Sequence, residues 1–228
     1  MTAVRAAVLA AITVTLGLAI VAMARHPAVF QDPAAPVYLV SFVLVWPSYL
    51  VATLLATRRP ATLGVVFAAI VGGLWVVELW AGNDASPGLL TALIYRASIL
   101  GVLGATVLGG VLGGRRRGRL ADGVSVGVLS GALSGLLVCA IAVSGGALSA
   151  TVGTSDPQAL AEFQRSHASD LTTFLVSDWL AAGINHLWIG LALGSLGGLI
   201  GGALAVAMAT TRPARHGDVT PKPLERRT

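Results

Sequence analysis

The sequence predicts an all-α integral membrane protein. It reads as a six-span, glycine-rich helical bundle with both termini cytoplasmic and an amphipathic helix in a long outer loop. Three observations carry this prediction. Mean hydropathy is +0.82, and 11% of the 228 residues are charged, against about 25% in a soluble domain. That leaves too little polar surface to cover a water-exposed globule. Six continuous apolar runs, near 6–24, 37–56, 62–82, 89–113, 123–149 and 180–208, match the roughly 20 residues that cross a hydrocarbon core. Their unbroken apolarity excludes a β-barrel, whose strands alternate. Finally, 12 of the 15 cationic residues fall on one side of a six-span arrangement.

Span 1 follows Arg5 and ends before Arg25. Its close, Ala22-Met23-Ala24, has the outline of a signal-peptide cleavage site. The apolar run is long for a leader, so an uncleaved anchor is the preferred reading. Span 2 contains Trp46-Pro47, and proline removes a helical hydrogen bond there. Arg58 and Arg59 separate spans 2 and 3, and Arg115, Arg116, Arg117 and Arg119 separate spans 4 and 5. Five more cations lie in the tail, residues 210–228, read as a basic disordered cytoplasmic segment. By the positive-inside rule these sides are cytoplasmic. Residues 1–209 then form one membrane domain, placed in the cell (plasma) membrane. The short juxtamembrane clusters explain the net charge of +5 without nucleic acid. Tyr38, Trp80, Tyr95 and Trp179 fall near outer helix ends, where aromatic rings prefer to sit.

The 28 glycines fall in stripes. Gly101, Gly109 and Gly113 mark span 4. Gly123, Gly127, Gly131 and Gly135 mark span 5, and Gly190, Gly194, Gly198 and Gly202 mark span 6. Lipid offers no hydrophobic drive between helices, so small residues at every fourth position serve close backbone approach. The expectation is a glycine zipper, made within the chain or with another copy or subunit. LGGVLGG (108–114) and LGGLIGG (196–202) also hint at duplicated hairpins.

Polar groups inside the spans are few. Glu78, Arg96, Asp178, Asn185 and His186 all fall in the outer third. An intramembrane charge is costly and faces a partner or water. The short loop 83–88 makes Glu78 and Arg96 the expected ion pair, as a binding site or as a structural bridge. His186 heads the span 6 glycine stripe and so faces protein. In the outer loop, 150–178, Leu160, Phe163, His167, Leu171 and Phe174 recur at helical spacing, and Glu162, Ser166 and Asp170 share a face if the helix is continuous.

The missing chemistry narrows function. One cysteine excludes a disulfide framework and a cysteine-based metal centre. A single intramembrane histidine does not make a bis-histidine haem site. The outer-loop acids supply too few ligands for a metal. No cofactor and no metal is expected. Ser134 and His186 differ in depth by several ångströms, which argues against an intramembrane serine protease. The sequence is read as a small permease, or the membrane subunit of a transporter, binding a solute or ion through Glu78, Arg96, Asp178, Asn185 and His186. The alternative is an accessory subunit that packs against partner helices through its glycine faces. A membrane-embedded enzyme comes third, and no catalytic residue is assigned.

Overall fold

The computed structural model describes residues 3–32, 35–56, 61–82, 88–148, 157–166 and 168–211. Arg58, Arg59, His167, the loop 83–87 and the tail beyond Thr211 lie outside them. The described residues form α1 (Ala3–Arg25), a 3₁₀ turn (Pro27–Gln31), α2 (Ala35–Ala56), α3 (Ala61–Gly82), α4 (Leu89–Arg117), α5 (Leu120–Ile141), α6 (Pro157–Ser166) and α7 (Leu171–Thr210). A π-helical turn, Ala142–Ala147, extends α5. All these helices but α6 are long and apolar enough to cross a membrane, and there are six of them. In lipid, every backbone polar group must be satisfied within the segment, which the helix achieves. The chain is therefore an all-α membrane bundle.

α5 is the axis of the bundle. Its membrane-crossing stretch is 72% buried, against 28–39% for the other spans. One face meets α7 and another α3, while α1 and α2 close the far side. Val8, Ile12 and Ala19 of α1 join Val45 and Tyr49 of α2, Leu129 and Leu136 of α5, and Leu180 and Leu187 of α7 in one core. Phe67, Val71 and Trp75 of α3 form a second core with Val102 and Ala105 of α4 and Val138 of α5.

Absent side chains set the α5–α7 distance. A Cβ on Gly123 would lie 2.6 Å from the Gly202 Cα, and one on Gly127 2.5 Å from the Gly198 Cα. On Gly131 it would lie 2.8 Å from the Gly194 Cα and overlap the Gly190 carbonyl. The α4–α7 contact uses a different register. Gly110 would meet the Gly198 Cα at 2.9 Å, Gly197 the Thr106 Oγ1 at 2.6 Å, and Gly201 the Val111 N at 2.6 Å. Gly101, Gly109 and Gly113 do not face α7. They receive Leu74, Phe67 and Val126 respectively, from α3 and α5. The doubled glycines explain the difference. Neighbouring residues point about 100° apart on a helix of 3.6 residues per turn. A GG pair thus lets α7 press on α5 through Gly198 and Gly202 while pressing on α4 through Gly197 and Gly201.

Two connections are built by local chemistry. Gly118 closes α4 at φ 63°, a left-handed conformation that glycine adopts without a Cβ penalty. The Arg119 N–H then donates to the Gly114 carbonyl at 3.2 Å, and α5 begins at once. At the opposite end, the π turn places Gly146 flush against the Trp179 ring, so Trp179 is a packing residue. Tyr38 is likewise no interfacial anchor. It is 6% exposed and its hydroxyl donates to the Val29 carbonyl at 2.7 Å. Trp80, 67% exposed, does reach the surface.

The outer-loop helix differs from its expected extent. α6 stops at Ser166, and Leu171 and Phe174 belong to α7. Asp170 accordingly does not share a helical face with Glu162 and Ser166. It caps α7 instead, accepting from the Thr173 N–H at 2.8 Å and the Thr173 hydroxyl at 2.7 Å. The cap lets α7 run 40 residues, about 60 Å at 1.5 Å per residue. That is twice the roughly 30 Å hydrocarbon thickness, so α7 projects beyond it. Phe163 of α6 rests on Phe174, ring centres 5.9 Å apart.

The cap has a pH signature. The Thr173 backbone N–H, then its hydroxyl, hold the Asp170 carboxyl below its ordinary value. Stabilisation by a depressed carboxyl is complete above the unfolded value, about 3.9 for aspartate, and is lost as pH falls through the folded one. Asp170→Ala is expected to cost about 1 kcal/mol at neutral pH. Melting curves from pH 7 downward should show the wild-type advantage shrinking below about pH 4.

Candidate functional site

Glu78 lies one turn from the end of α3, and Arg96 two turns into α4. The antiparallel α3–α4 pair brings them to one open pocket of about 470 Å³, lined by Glu78, Leu79, Ala81, Gly82, Ala92, Tyr95 and Arg96. This size is in the range of small-molecule sites. The two helices pack closely beside the pocket. Leu74 of α3 fits against Gly101 of α4, and Tyr95 reaches over Gly82, where a Cβ would sit 3.2 Å from the ring.

The expected Glu78–Arg96 ion pair does not form. Among the described residues no salt bridge joins the two. Glu78 instead interacts with the Tyr95 hydroxyl and, through space, with His186. Its Oε2 is buried without a hydrogen-bond partner. Arg96 is exposed. Residues 78 and 96 line the same pocket, Glu78 half-buried and Arg96 exposed.

His186 is fixed from two sides. Its Nδ1 lies 2.8 Å from the Ala182 carbonyl of the preceding turn. A carbonyl only accepts, so Nδ1 carries the proton of this hydrogen bond and Nε2 is left for other partners. The Trp75 ring meets the imidazole edge-on at 5.1 Å, with planes at 85°. Trp75 itself is 7% exposed in the α3–α4–α5 core. Glu78, three residues beyond Trp75, lies within electrostatic reach of the same imidazole. His186 is thus half-buried behind the pocket rather than in its lining.

Asp178 and Asn185 are not brought into this group. Both are exposed on α7, and Asp178 lies within the electrostatic reach of Glu162 on α6. Ser134 is buried and donates to the Gly131 carbonyl of its own helix at 3.1 Å, as a serine in a packed membrane helix commonly does. Among the described residues no cluster of histidine, cysteine, aspartate and glutamate has the makings of a metal site.

One polar residue escaped the sequence reading. Asp122, in the first turn of α5, is 1% exposed at the arginine-rich end of the bundle. The signal was present as an acid just after Arg115–Arg119, but it fell one residue outside the expected span.

The fold defines a multi-pass membrane protein held in a lipid bilayer. The chain matches no family model, no curated protein and no solved structure.

Proposed function

We propose that the chain is a small permease, or the membrane subunit of a transporter, in the cell membrane with both termini cytoplasmic. It takes a small solute or ion in the outward-facing pocket between α3 and α4. The observation that carries this reading is Glu78, a carboxylate with one buried, unpartnered oxygen on the wall of a 470 Å³ pocket. Intramembrane ionisable groups are retained at such cost mainly along solute and ion paths. His186 stands behind Glu78 as its second electrostatic partner. The glycine rows favour this reading over an accessory subunit. The α5 and α7 rows meet each other inside this chain, so as a zipper they serve internal packing and offer no free face to a partner.

Glu78→Gln keeps the side chain's shape and removes its charge. It is expected to lower solute flux into proteoliposomes by about thirtyfold or more, the rate equivalent of about 2 kcal/mol for a lost desolvated charge contact. The melting temperature should stay unchanged. A purely structural Glu78 predicts the opposite pattern: intact flux per folded molecule and a lower melting temperature.

A further inference from the structure

We propose that the α3–α4 pocket is built for a zwitterion, a small amino-acid-like solute carrying one ammonium and one carboxylate. The inference rests on the solute-binding reading above and names the class of solute. Among the described residues the pocket wall holds one carboxylate, Glu78, and one guanidinium, Arg96. Opposite charges at a membrane site ordinarily pair with each other. These two share a pocket without pairing, and among the described residues Arg96 makes no hydrogen bond or ion pair. The buried Glu78 Oε2 has no donor. A lone cation would satisfy Glu78 and add uncompensated charge beside Arg96, and a lone anion would do the reverse. A zwitterion meets both at once and brings no net charge. Arg96 offers the forked donor geometry that suits a carboxylate. The Tyr95 ring, on the same wall, adds an aromatic surface that attracts an ammonium. Room is sufficient for such a solute and too small for a peptide, by the size range of small-molecule sites.

The test is calorimetric titration of the purified full chain in lipid nanodiscs with the twenty amino acids. Each binder is then compared with its decarboxylated amine and its deaminated acid. The expected result is an amino acid that binds at least about tenfold more tightly than either half-molecule. That preference should disappear in Glu78→Gln and in Arg96→Gln, and Arg96→Lys should retain part of it. Circular dichroism and melting temperature establish that each variant is folded. Equal binding of an amine or an acid alone overturns the zwitterion inference and leaves a solute site standing. So does binding of some other solute class when no amino acid binds. Failure of every solute class to bind overturns both readings.

Discussion

Gly131→Leu is expected to abolish the folded bundle. A Cβ at this position overlaps the Gly190 carbonyl and comes within 2.8 Å of the Gly194 Cα. These are backbone atoms of the facing helix, so no rotamer change relieves the clash, and α5 must part from α7. Overpacking in a soluble core costs about 1–3 kcal/mol when side chains can shift. Here the cost lies at or above the top of that range, because separation along one seam loosens the adjoining pairs Gly127–Gly198 and Gly123–Gly202 as well. The measurement is the yield of monodisperse protein in mild detergent, with the melting temperature of whatever survives. Gly104→Leu and Gly73→Leu are the matched controls. Nothing lies within 4 Å of a Cβ at either position, and both face outward. They should behave as wild type. Equal tolerance at all three positions would show that α5 and α7 do not meet through these glycines.

Trp75→Ala is the second large effect, and it links the core to the pocket. The indole fills the junction of α3, α4 and α5, and truncating a buried aromatic costs about 3–5 kcal/mol. It also removes the ring that meets His186 edge-on, freeing the imidazole beside Glu78. Trp75→Phe separates the two consequences. It keeps an aromatic edge and most of the volume, so stability should fall by less than about 1.5 kcal/mol and flux should be largely retained. Thermal melts and flux measured on the same preparations decide the matter. If Trp75→Ala melted like wild type, the second core would not hold the site.

The spans were legible because a bilayer leaves the chain little choice: a long apolar run must be a helix. Ends were less legible, since helices obey caps rather than apolarity. α7 begins at Leu171, nine residues before the apolar run, because Asp170 can accept from Thr173. A sequence of mixed polarity, Thr172 to Asp178, hid that start. The glycine stripes are visible in the sequence, but a spacing of four shows a single register in each. The tandem glycines at 109–110, 113–114, 197–198 and 201–202 carry two, one for each neighbour of the helix. For the site, the sequence placed Glu78, Arg96 and His186 at a common depth. It did not contain the azimuth of each side chain, which depends on how α3 and α4 rotate against α7. Hence Arg96 is exposed beside Glu78 without pairing with it, Glu78 lies within electrostatic reach of His186, and Asn185 and Asp178 fall on an exposed face of α7.

Binding of a small solute at Glu78 underlies the transport reading. The most direct measurement is a thermal-shift screen of the purified protein against ions, amino acids, vitamins and metals at several pH values. A ligand that binds only the folded state stabilises it by about 2.7 kcal/mol at 100 times its dissociation constant. The expected result is a concentration-dependent rise in melting temperature for at least one solute, lost in Glu78→Gln. A panel that leaves the melting temperature of folded protein unmoved, or a hit that Glu78→Gln binds equally well, would contradict it.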